Sequence, residues 1–250
     1  MLPRWFIHAL ARRSGSPHEA LRALASVASG FPLQALPTLE RVLLLAPHPD
    51  DEILGAGGTM ARLAALGCDV TVAIATAGEG DPHSKLLADE LMRRRQNEAA
   101  QACAVLGLRP PSWWGLPDGQ LPTHHAALAE AVARAVAEVR PQVVFMPWFG
   151  EGHADHAALG KVPLPDDTEV WAYEIWTPLP APNRLVDITT VIDRKRDALA
   201  CHTTAGRTIS LEALLALSRY RSAHGLFGQG WAEAFFVTSA EDYRTLWQGQ

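Results

Sequence analysis

The sequence predicts an α/β protein with a mostly parallel sheet and helices on both of its faces. Two observations support this fold class. Short apolar runs such as residues 41–46 (RVLLLA) are typical of strands buried on both faces. Ala- and Leu-rich helical segments alternate with these runs, and a strand, a helix and a second strand over residues 41–75 predict a βαβ unit with parallel strands. In such sheets, ligands bind at the carboxyl ends of the strands.

The first strand is followed by a polar turn at residues 48–52 and by a helix that stops at Gly67, because glycine favours the left-handed conformation that ends helices. β-Branched residues then predict the second strand, 69–75. Prolines and glycines separate the later elements. Further strands are predicted at 143–147, 170–176, 184–188 and 231–238, and helices at 53–66, 89–106, 126–139, 192–201 and 211–224.

The chain divides into two parts. Residues 1–38 are predicted to be a helical N-terminal extension, in which glycine, serine and proline interrupt short helical stretches. Residues 39–250 are predicted to form one domain of ordinary size for an α/β enzyme.

Composition excludes several classes of protein. Hydrophobic residues make up 48% of the chain, which is enough for a full core and excludes intrinsic disorder. The 22 basic and 27 acidic residues give a net charge of -5, which disfavours nucleic acid as a partner. No apolar run is long enough for a transmembrane segment. Three widely spaced cysteines predict reduced thiols, and we therefore expect a cytoplasmic protein.

The first candidate site follows the first strand, where residues 48–52 are HPDDE. Proline and acidic residues are ordinary at a helix start, because the acids complement the positive end of the helix dipole. His48 has no such capping role. Asp51 lies three positions further on the same side of the first helical turn, so one imidazole and one carboxylate can meet a single metal ion. Asp50 projects elsewhere, close to the ion.

The second candidate site is the sequence HADH at residues 153–156, just after the predicted strand 143–147. Two histidines and an aspartate in four residues are difficult to explain by packing. Together the two motifs supply a histidine, an aspartate and a second histidine for one ion, and they leave further acids and a histidine for proton transfer. Three protein ligands with an open fourth position are typical of catalytic zinc, although Fe²⁺ and other divalent ions accept the same donors.

These motifs resemble those of the PIG-L/LmbE-like zinc-dependent N-deacetylases. Residues 45–60 (LAPHPDDEILGAGGTM) resemble the family's AHPDDE motif, and GHADH at 152–156 resembles its HxDH motif. The resemblance covers about residues 40–240 and implies a Rossmann-like fold that hydrolyses an acetamide, usually on an N-acetylated amino sugar. Further matches are TAGEG at 76–80, the RxxE pattern at 95–98, LPDG at 116–119 and KRDALACH at 195–202.

The resemblance also implies a role for each site residue. Asp50 is the implied general base that deprotonates water, and His153 is the implied acid that stabilises the oxyanion and protonates the departing amine. Asp155 is expected to orient His153 and to favour its charged form. Amide cleavage needs these functions together with a polarised carbonyl. The implied zinc ligands are His48, Asp51 and His156.

Two residues are candidate contacts to a small-molecule substrate. Arg95 falls within an apolar stripe of its helix, so it either pairs with Glu98 or reaches sugar hydroxyls or a phosphate at the mouth of the site. Trp148 lies just before the second motif, where its ring can stack on a sugar. Prolines soon after His156 exclude a long helix there, which departs from the family's pattern.

The leading hypothesis is therefore a zinc-dependent deacetylase of an N-acetylated amino sugar or glycoside. An amidase for another acylated amine, such as an antibiotic intermediate or a thiol conjugate, is an alternative, as is a zinc-binding protein without turnover. A nucleotide-binding protein is disfavoured, because Gly55, Gly57 and Gly58 lie inside the predicted helix rather than before it. The sequence leaves the oligomeric state open.

Overall fold

A seven-stranded sheet forms the centre of the protein in the computed structural model, which describes residues 33–81, 84–204 and 210–248. The buried apolar runs of the sequence form its central strands. The strands are β1 (Arg41–Ala46), β2 (Asp69–Ile74), β3 (Ser112–Trp113), β4 (Val143–Pro147), β5 (Glu169–Tyr173), β6 (Arg184–Asp187) and β7 (Ala232–Ser239).

The strands are arranged in the order β3-β2-β1-β4-β5-β7-β6. All pairs from β3 to β5 are parallel, and β7 is antiparallel to both of its neighbours. The register places Ala46 opposite Ile74 and Pro147 opposite Tyr173. The loops that follow β1, β2, β4 and β5 therefore lie at one edge of the sheet. The predicted fold class, a mostly parallel α/β sheet, is confirmed.

Helices cover both faces of the sheet. They are α1 (Asp51–Ala65), α2 (Ala88–Leu106), α3 (His125–Val139), α4 (Ala154–Leu159), α5 (Ile192–Ala200), α6 (Leu211–Ser222) and α7 (Ala240–Gln248). One buried apolar cluster joins α1, α2, α5 and α6 to the sheet, and a second joins α3, α4 and α7 to the opposite face. Within β1, Val42 and Leu44 belong to the first cluster and Leu43 and Leu45 to the second, because successive side chains of a strand point to opposite faces.

Two glycines allow α1 to lie close to its neighbours. A Cβ atom at Gly55 would lie 2.2 Å from the ring of Tyr173, and one at Gly58 would lie 2.7 Å from Ile188. A larger side chain would clash with buried groups at both positions. These glycines therefore have a packing role inside the helix, and they do not lie in the turn before it.

The sequence does not predict β3, α4 or α7. β3 has two residues and α4 has six, which is too short for a periodic apolar pattern. α7 begins at the residue that follows β7, so no turn residues separate the two elements. The shortness of α4 agrees with the expectation that no long helix follows the second motif.

Only the end of the predicted N-terminal extension is described. Residues 1–32, and the helices predicted there, lie outside the described residues. Residues 33–38 are not helical, and Leu33 forms an isolated bridge with Leu185 of β6. Within the described ranges, no helix is both long enough and apolar enough to cross a membrane.

Candidate active site

The turn between β1 and α1 places the first motif at the carboxyl edge of the sheet. Asp51 is the first residue of α1, and its Oδ2 accepts the backbone N–H of His48 at 3.0 Å. The same oxygen lies 3.1 Å from His48 Nδ1. Between them, Asp50 adopts a φ of 108°, and its N–H donates to Glu52 at 3.0 Å. This tight turn brings together the two predicted ligands of the first motif.

The second motif forms the start of α4. His153 is the N-cap residue, and its Nδ1 accepts the N–H of Asp155 at 3.3 Å. One turn into the helix, His156 is buried, and its Nε2 lies 3.2 Å from His48 Nδ1 and 3.2 Å from Asp51 Oδ2. Because β1 and β4 are neighbours in the sheet, two motifs that are distant in sequence meet at this edge.

Three side-chain atoms form a nearly equilateral triangle: His48 Nδ1, Asp51 Oδ2 and His156 Nε2. Its edges are 3.1, 3.2 and 3.2 Å. Tetrahedral coordination with bonds of about 2.0–2.1 Å separates ligand atoms by roughly 3.3 Å. The triangle therefore fits one face of a tetrahedral cation site. Nitrogens of His48, His153 and His156 also lie within 4.8 Å of one another, so a third histidine borders the same space.

Two carboxylates contact the opposite side of the His48 ring. His48 Nε2 lies 3.1 Å from Asp155 Oδ2 and 3.0 Å from Asp118 Oδ1. These acceptors hold a proton on Nε2, and Nδ1, which faces Asp51 and His156, is the nitrogen that would give up its proton to a cation. A carboxylate that fixes the tautomer of a histidine in this way is typical of metal sites.

Negative charge dominates this buried cluster. Burial acts against charging His48, but hydrogen bonds to Asp118, Asp155 and Asp51 outweigh it and raise the pKa of His48 well above its usual value. Burial likewise acts against ionisation of Asp51, yet His156 and His48 lower the pKa of that carboxyl. Ionised carboxylates at a buried position attract a cation. The donor set and its charge therefore both fit a divalent ion.

Asp50 lies beside the triangle and takes no part in it. Burial, and then the charges of Asp51 and Glu52, raise the pKa of Asp50 well above that of an ordinary aspartate. Burial also raises the pKa of Glu52 to about 8. A carboxyl group with a raised pKa holds a proton more readily, which suits a group that must accept one. Asp50 lines the same cleft as His48 and His153.

The structure corrects the expected role of Asp155. Its carboxylate contacts His48 and accepts the N–H groups of Gly119 and Leu121 at 2.8 and 3.0 Å, whereas its contact with His153 is made by the backbone N–H. The carboxylate of Asp155 therefore orients His48, and only its backbone N–H holds the ring of His153. The charge of Asp155 acts in the expected direction and favours charged His153, but burial and then the charges of His48 and His156 outweigh it and lower the pKa of His153.

Arg95 holds a loop at the mouth of the cleft. Its Nη1 donates to the carbonyl oxygen of Gly78 at 2.8 Å, and its Nη2 donates to Asp81 at 2.8 Å. Glu98, the alternative partner considered from the sequence, instead accepts hydrogen bonds from the segment after α5. Arg95 lines the cleft, but its guanidinium is bound to the loop that follows β2. Its contact with a substrate stays a prediction.

Trp148 does not lie in the cleft, which corrects the expectation that it stacks on a sugar. Its side chain is buried, its Nε1 donates to the carbonyl oxygen of Thr177 at 2.9 Å, and its ring packs edge-on against Phe149. The tryptophan that lines the cleft is Trp176, which is 49% exposed and comes shortly after β5. Both tryptophans follow strands at the same edge, so the sequence alone does not distinguish them.

Asp118 is a residue of the site that the sequence analysis did not single out. Its backbone N–H donates to Glu79 Oε1 at 3.0 Å, and its Oδ2 accepts the N–H of Gly80 at 2.9 Å. These bonds aim Oδ1 at His48. Burial opposes the ionisation of Asp118, but the hydrogen bond with His48 outweighs it and lowers the pKa of the carboxyl. The LPDG match at residues 116–119 is the signal that points to it.

The site opens into a cleft of about 570 Å³, which is within the usual range for small-molecule sites. Its lining includes the three residues of the triangle, together with Asp50 and His153. An α/β fold in which three side chains can hold a divalent cation, beside further titratable side chains, is typical of the metal-dependent hydrolases.

Comparison with known proteins identifies the family within this class. The family model for GlcNAc-PI de-N-acetylase (PIG-L) matches residues 43–164. The 1D-myo-inositol 2-acetamido-2-deoxy-alpha-D-glucopyranoside deacetylase of Rhodococcus jostii is 32% identical over 66% of this chain and 81% of its own length. The chain belongs to the PIG-L family of deacetylases, hydrolases that act on carbon–nitrogen bonds other than peptide bonds. The resemblance drawn from the two motifs is confirmed.

Two chitobiose enzymes are also similar to this chain. The diacetylchitobiose deacetylase of Thermococcus kodakarensis is 33% identical, and the alignment covers 49% of this chain and 47% of that protein. The structure of N,N'-diacetylchitobiose deacetylase from Pyrococcus horikoshii has a TM-score of 0.70 at 23% identity, over 82% of this chain and 86% of that one. This structural likeness confirms the fold.

Proposed function

We propose that the protein removes acetate from an N-acetylated amino sugar, either free or within a glycoside. The observation that carries the proposal is the triangle of His48, Asp51 and His156 beside two acid–base side chains. The names of the relatives support the substrate class, because one is a deacetylase of an acetamido-deoxyglucopyranoside of inositol and another is a diacetylchitobiose deacetylase.

Zinc is the proposed ion, and His48, Asp51 and His156 are its proposed ligands. Two imidazole nitrogens and a carboxylate oxygen at tetrahedral spacing are a donor set that zinc accepts. The chemistry that zinc supplies when bound is polarisation of a carbonyl and a lower pKa for water. Fe²⁺ accepts the same donors, so metal analysis of the purified protein is part of the test.

Asp50 and His153 carry the proposed proton transfers. Asp50 accepts a proton from the attacking water, in keeping with its raised pKa. His153 lines the cleft, and its Nδ1 is occupied by the N–H of Asp155, so Nε2 is the atom that hydrogen-bonds the developing oxyanion. The same ring passes to the departing amine the proton that Asp50 takes from water: the ring becomes an imidazolium as it receives this proton, and its lowered pKa makes that imidazolium a stronger acid. Asp118 and Asp155 act indirectly by holding His48.

Acetate release tests the proposal. The protein is incubated with N-acetylglucosamine, with its β-linked dimer and with N-acetylated glycosides, before and after chelation and with zinc restored. We expect activity that is lost on chelation and recovered with zinc. Asp50→Ala should retain the ion and lower kcat by about 10²–10⁴, the usual contribution of a general base. Asp167→Ala, which changes an exposed acid outside the cleft, is the matched control.

Two other outcomes separate the alternatives. Acetate or acyl release from acylated polyamines or thiol conjugates, without any from amino sugars, would assign the protein to a different amine substrate. Stoichiometric zinc with no release from any of these amides would indicate a metal-binding protein without turnover. Either result would overturn the proposed amino-sugar activity.

We also propose that residues 39–250 are the deacetylase domain and that residues 1–38 are an extension of it. Supporting this division, one continuous sheet runs from β1 to β7. We further propose the cytoplasm as the location, because Cys68, Cys103 and Cys201 are free thiols.

A further inference from the structure

One large aromatic side chain is exposed in the wall of the cleft. Trp176 leaves 49% of its surface accessible and lines the same cleft as His48, Asp50 and His153. Among the described residues that line the cleft, it has the only aromatic ring that is not a histidine. Covering an exposed indole with an apolar surface is energetically favourable, so this position favours a ligand that can lie against the ring.

A buried carboxylate fixes the backbone on both sides of Trp176. Glu151 is only 5% exposed; its Oε1 accepts the N–H of Ile175 at 2.7 Å, and its Oε2 accepts the N–H of Thr177 at 3.1 Å. The two acceptors of one side chain thus hold the residues directly before and after the tryptophan. The exposed ring therefore projects from a rigid backbone and not from a loose loop.

Thr177 adds two further bonds to the same segment. Its Oγ1 accepts the N–H of Gly152 at 2.8 Å, and its carbonyl oxygen accepts the Nε1–H of Trp148 at 2.9 Å. All of these partners lie in residues 148–152, the stretch that leads into His153. Trp176 is consequently held in a fixed position relative to the second motif, and a ring bound against it has a defined place relative to the acid–base groups.

We infer that Trp176 is a specificity-determining residue whose indole stacks on the pyranose ring of the substrate. This inference rests on the proposed function and extends it from the acetamide to the sugar. A pyranose presents C–H groups on its faces and hydroxyls at its edge. The indole covers a C–H face, while most of the other side chains that line the cleft are polar and suit hydroxyls. The ring thereby distinguishes an acetylated sugar from a small acetamide without a ring.

Sugar binding without turnover provides the first test. In the Asp50→Ala background with zinc, calorimetry measures the Kd of N-acetylglucosamine and of its β-linked dimer. Adding Trp176→Ala should raise the Kd about tenfold, which corresponds to about 1.4 kcal/mol, and adding Trp176→Phe should restore most of the affinity. Phe227→Ala removes a ring that is 92% exposed and outside the cleft, so it should leave the Kd unchanged.

Turnover provides the second test. For the sugars, Trp176→Ala should raise KM about tenfold with kcat within about twofold of wild type, because stacking holds ground state and transition state alike. For N-acetylethanolamine, which has no ring, kcat/KM should not change. Because the hydrogen bonds of Glu151 are made to the main-chain N–H groups of Ile175 and Thr177, Trp176→Ala should unfold at the wild-type temperature.

The outcomes distinguish this inference from the proposed function. Sugar affinity and KM that are unchanged in Trp176→Ala, in a protein that releases acetate, would overturn the stacking role and leave the deacetylase intact. Affinity that depends on Trp176 without any acetate release would overturn the deacetylase and support the stacking role. Failure of both sugars to bind the Asp50→Ala protein would overturn the stacking role directly.

Discussion

Two clusters of buried charge in this protein differ in their balance. Lys195 of α5 pairs with Glu233 of β7 at 2.7 Å, and Arg221 of α6 pairs with Glu174 at 2.6 Å, so each carboxylate has its own cation. At the carboxyl ends of β1 and β4, three carboxylates surround one histidine. Within the described ranges, those carboxylates form no ion pair with a lysine or an arginine. The acids of this second group are Asp51, Asp118 and Asp155. We call this group, with His48, the unbalanced cluster, and we call the two ion pairs the balanced cluster.

The difference separates a structural role from a ligand-binding one. A buried charge costs several kcal/mol unless a partner compensates it. Within each pair of the balanced cluster, the two opposite charges compensate each other, so no further ion is needed. The group around His48 has an excess of negative charge, and three of its polar atoms have the spacing of a coordination site, so it suits a cation.

The largest expected effect comes from removing a carboxylate of the unbalanced cluster. Asp51→Ala deletes one corner of the triangle, so we expect the protein to lose its ion and its acetate release to fall to background. Elemental analysis and the acetate assay check both points. Stoichiometric metal in Asp51→Ala would refute the ligand assignment.

The balanced cluster should respond in the opposite way. Lys195→Met leaves Glu233 buried without its cation, and it removes the bond from Nζ to the carbonyl oxygen of Leu54 in α1. We expect the free energy of unfolding to fall by about 3–5 kcal/mol with metal content unchanged, measured by denaturant titration. Arg94→Met breaks an exposed pair with Glu90 and should cost less than about 0.5 kcal/mol. Similar losses in the two variants would contradict the comparison.

A buried histidine near Glu52 should make the folded protein less stable in acid. His202 Nε2 lies 3.7 Å from Glu52 Oε1, and burial lowers the pKa of His202 to about 4. The unfolded chain binds this proton below about pH 6.5 and the folded chain only below about pH 4, so stability falls as the pH decreases through that window. His202→Gln removes the effect, and its stability relative to wild type should rise by about 3 kcal/mol between pH 7 and pH 4. Denaturant titrations at both pH values measure this difference, and a constant difference would contradict it.

The smallest effect is expected at the carboxylate that orients His48 without entering the triangle. Asp118→Asn keeps the shape of the side chain and weakens the acceptor for His48 Nε2. Loss of such an outer partner usually weakens metal binding about 10–100-fold, and competition with a chromophoric chelator measures it. Asp89→Asn, at an exposed position of α2, is the control. Equal affinities in the two variants would show that Asp155 alone orients His48.

Local patterns made much of this site predictable. His48 and Asp51 are three residues apart, His153 and His156 are likewise three apart, and both pairs follow buried strands whose carboxyl ends share an edge. Most of the strands and helices are predictable as well, because apolar runs and apolar periodicity are also local patterns. Asp118 depends instead on a tertiary contact, since Glu79 must bind its N–H before its carboxylate faces the histidine.

The tryptophans show a second limit. Trp148 and Trp176 both come shortly after a strand of the parallel sheet, and alternation along a strand does not determine how the chain turns after it ends. The burial of Trp148 is set by its hydrogen bond to Thr177 and by its packing against Phe149, and the exposure of Trp176 is set by the bonds of its neighbours to Glu151. The hydrogen bonds to Thr177 and Glu151 are long-range contacts, which residue type does not encode.

The backbone at Asp50 implies a conflict between durability and activity. Glycine adopts a φ of 108° readily, whereas this φ is strained for any residue with a Cβ atom. Glycine at this position would relieve the strain and remove a partly buried carboxyl group, so selection for heat resistance alone would favour it. Selection for turnover would reject it. A laboratory evolution experiment should therefore divide into two lineages at position 50. One lineage should be more thermostable and inactive, and the other should be active with a lower melting temperature.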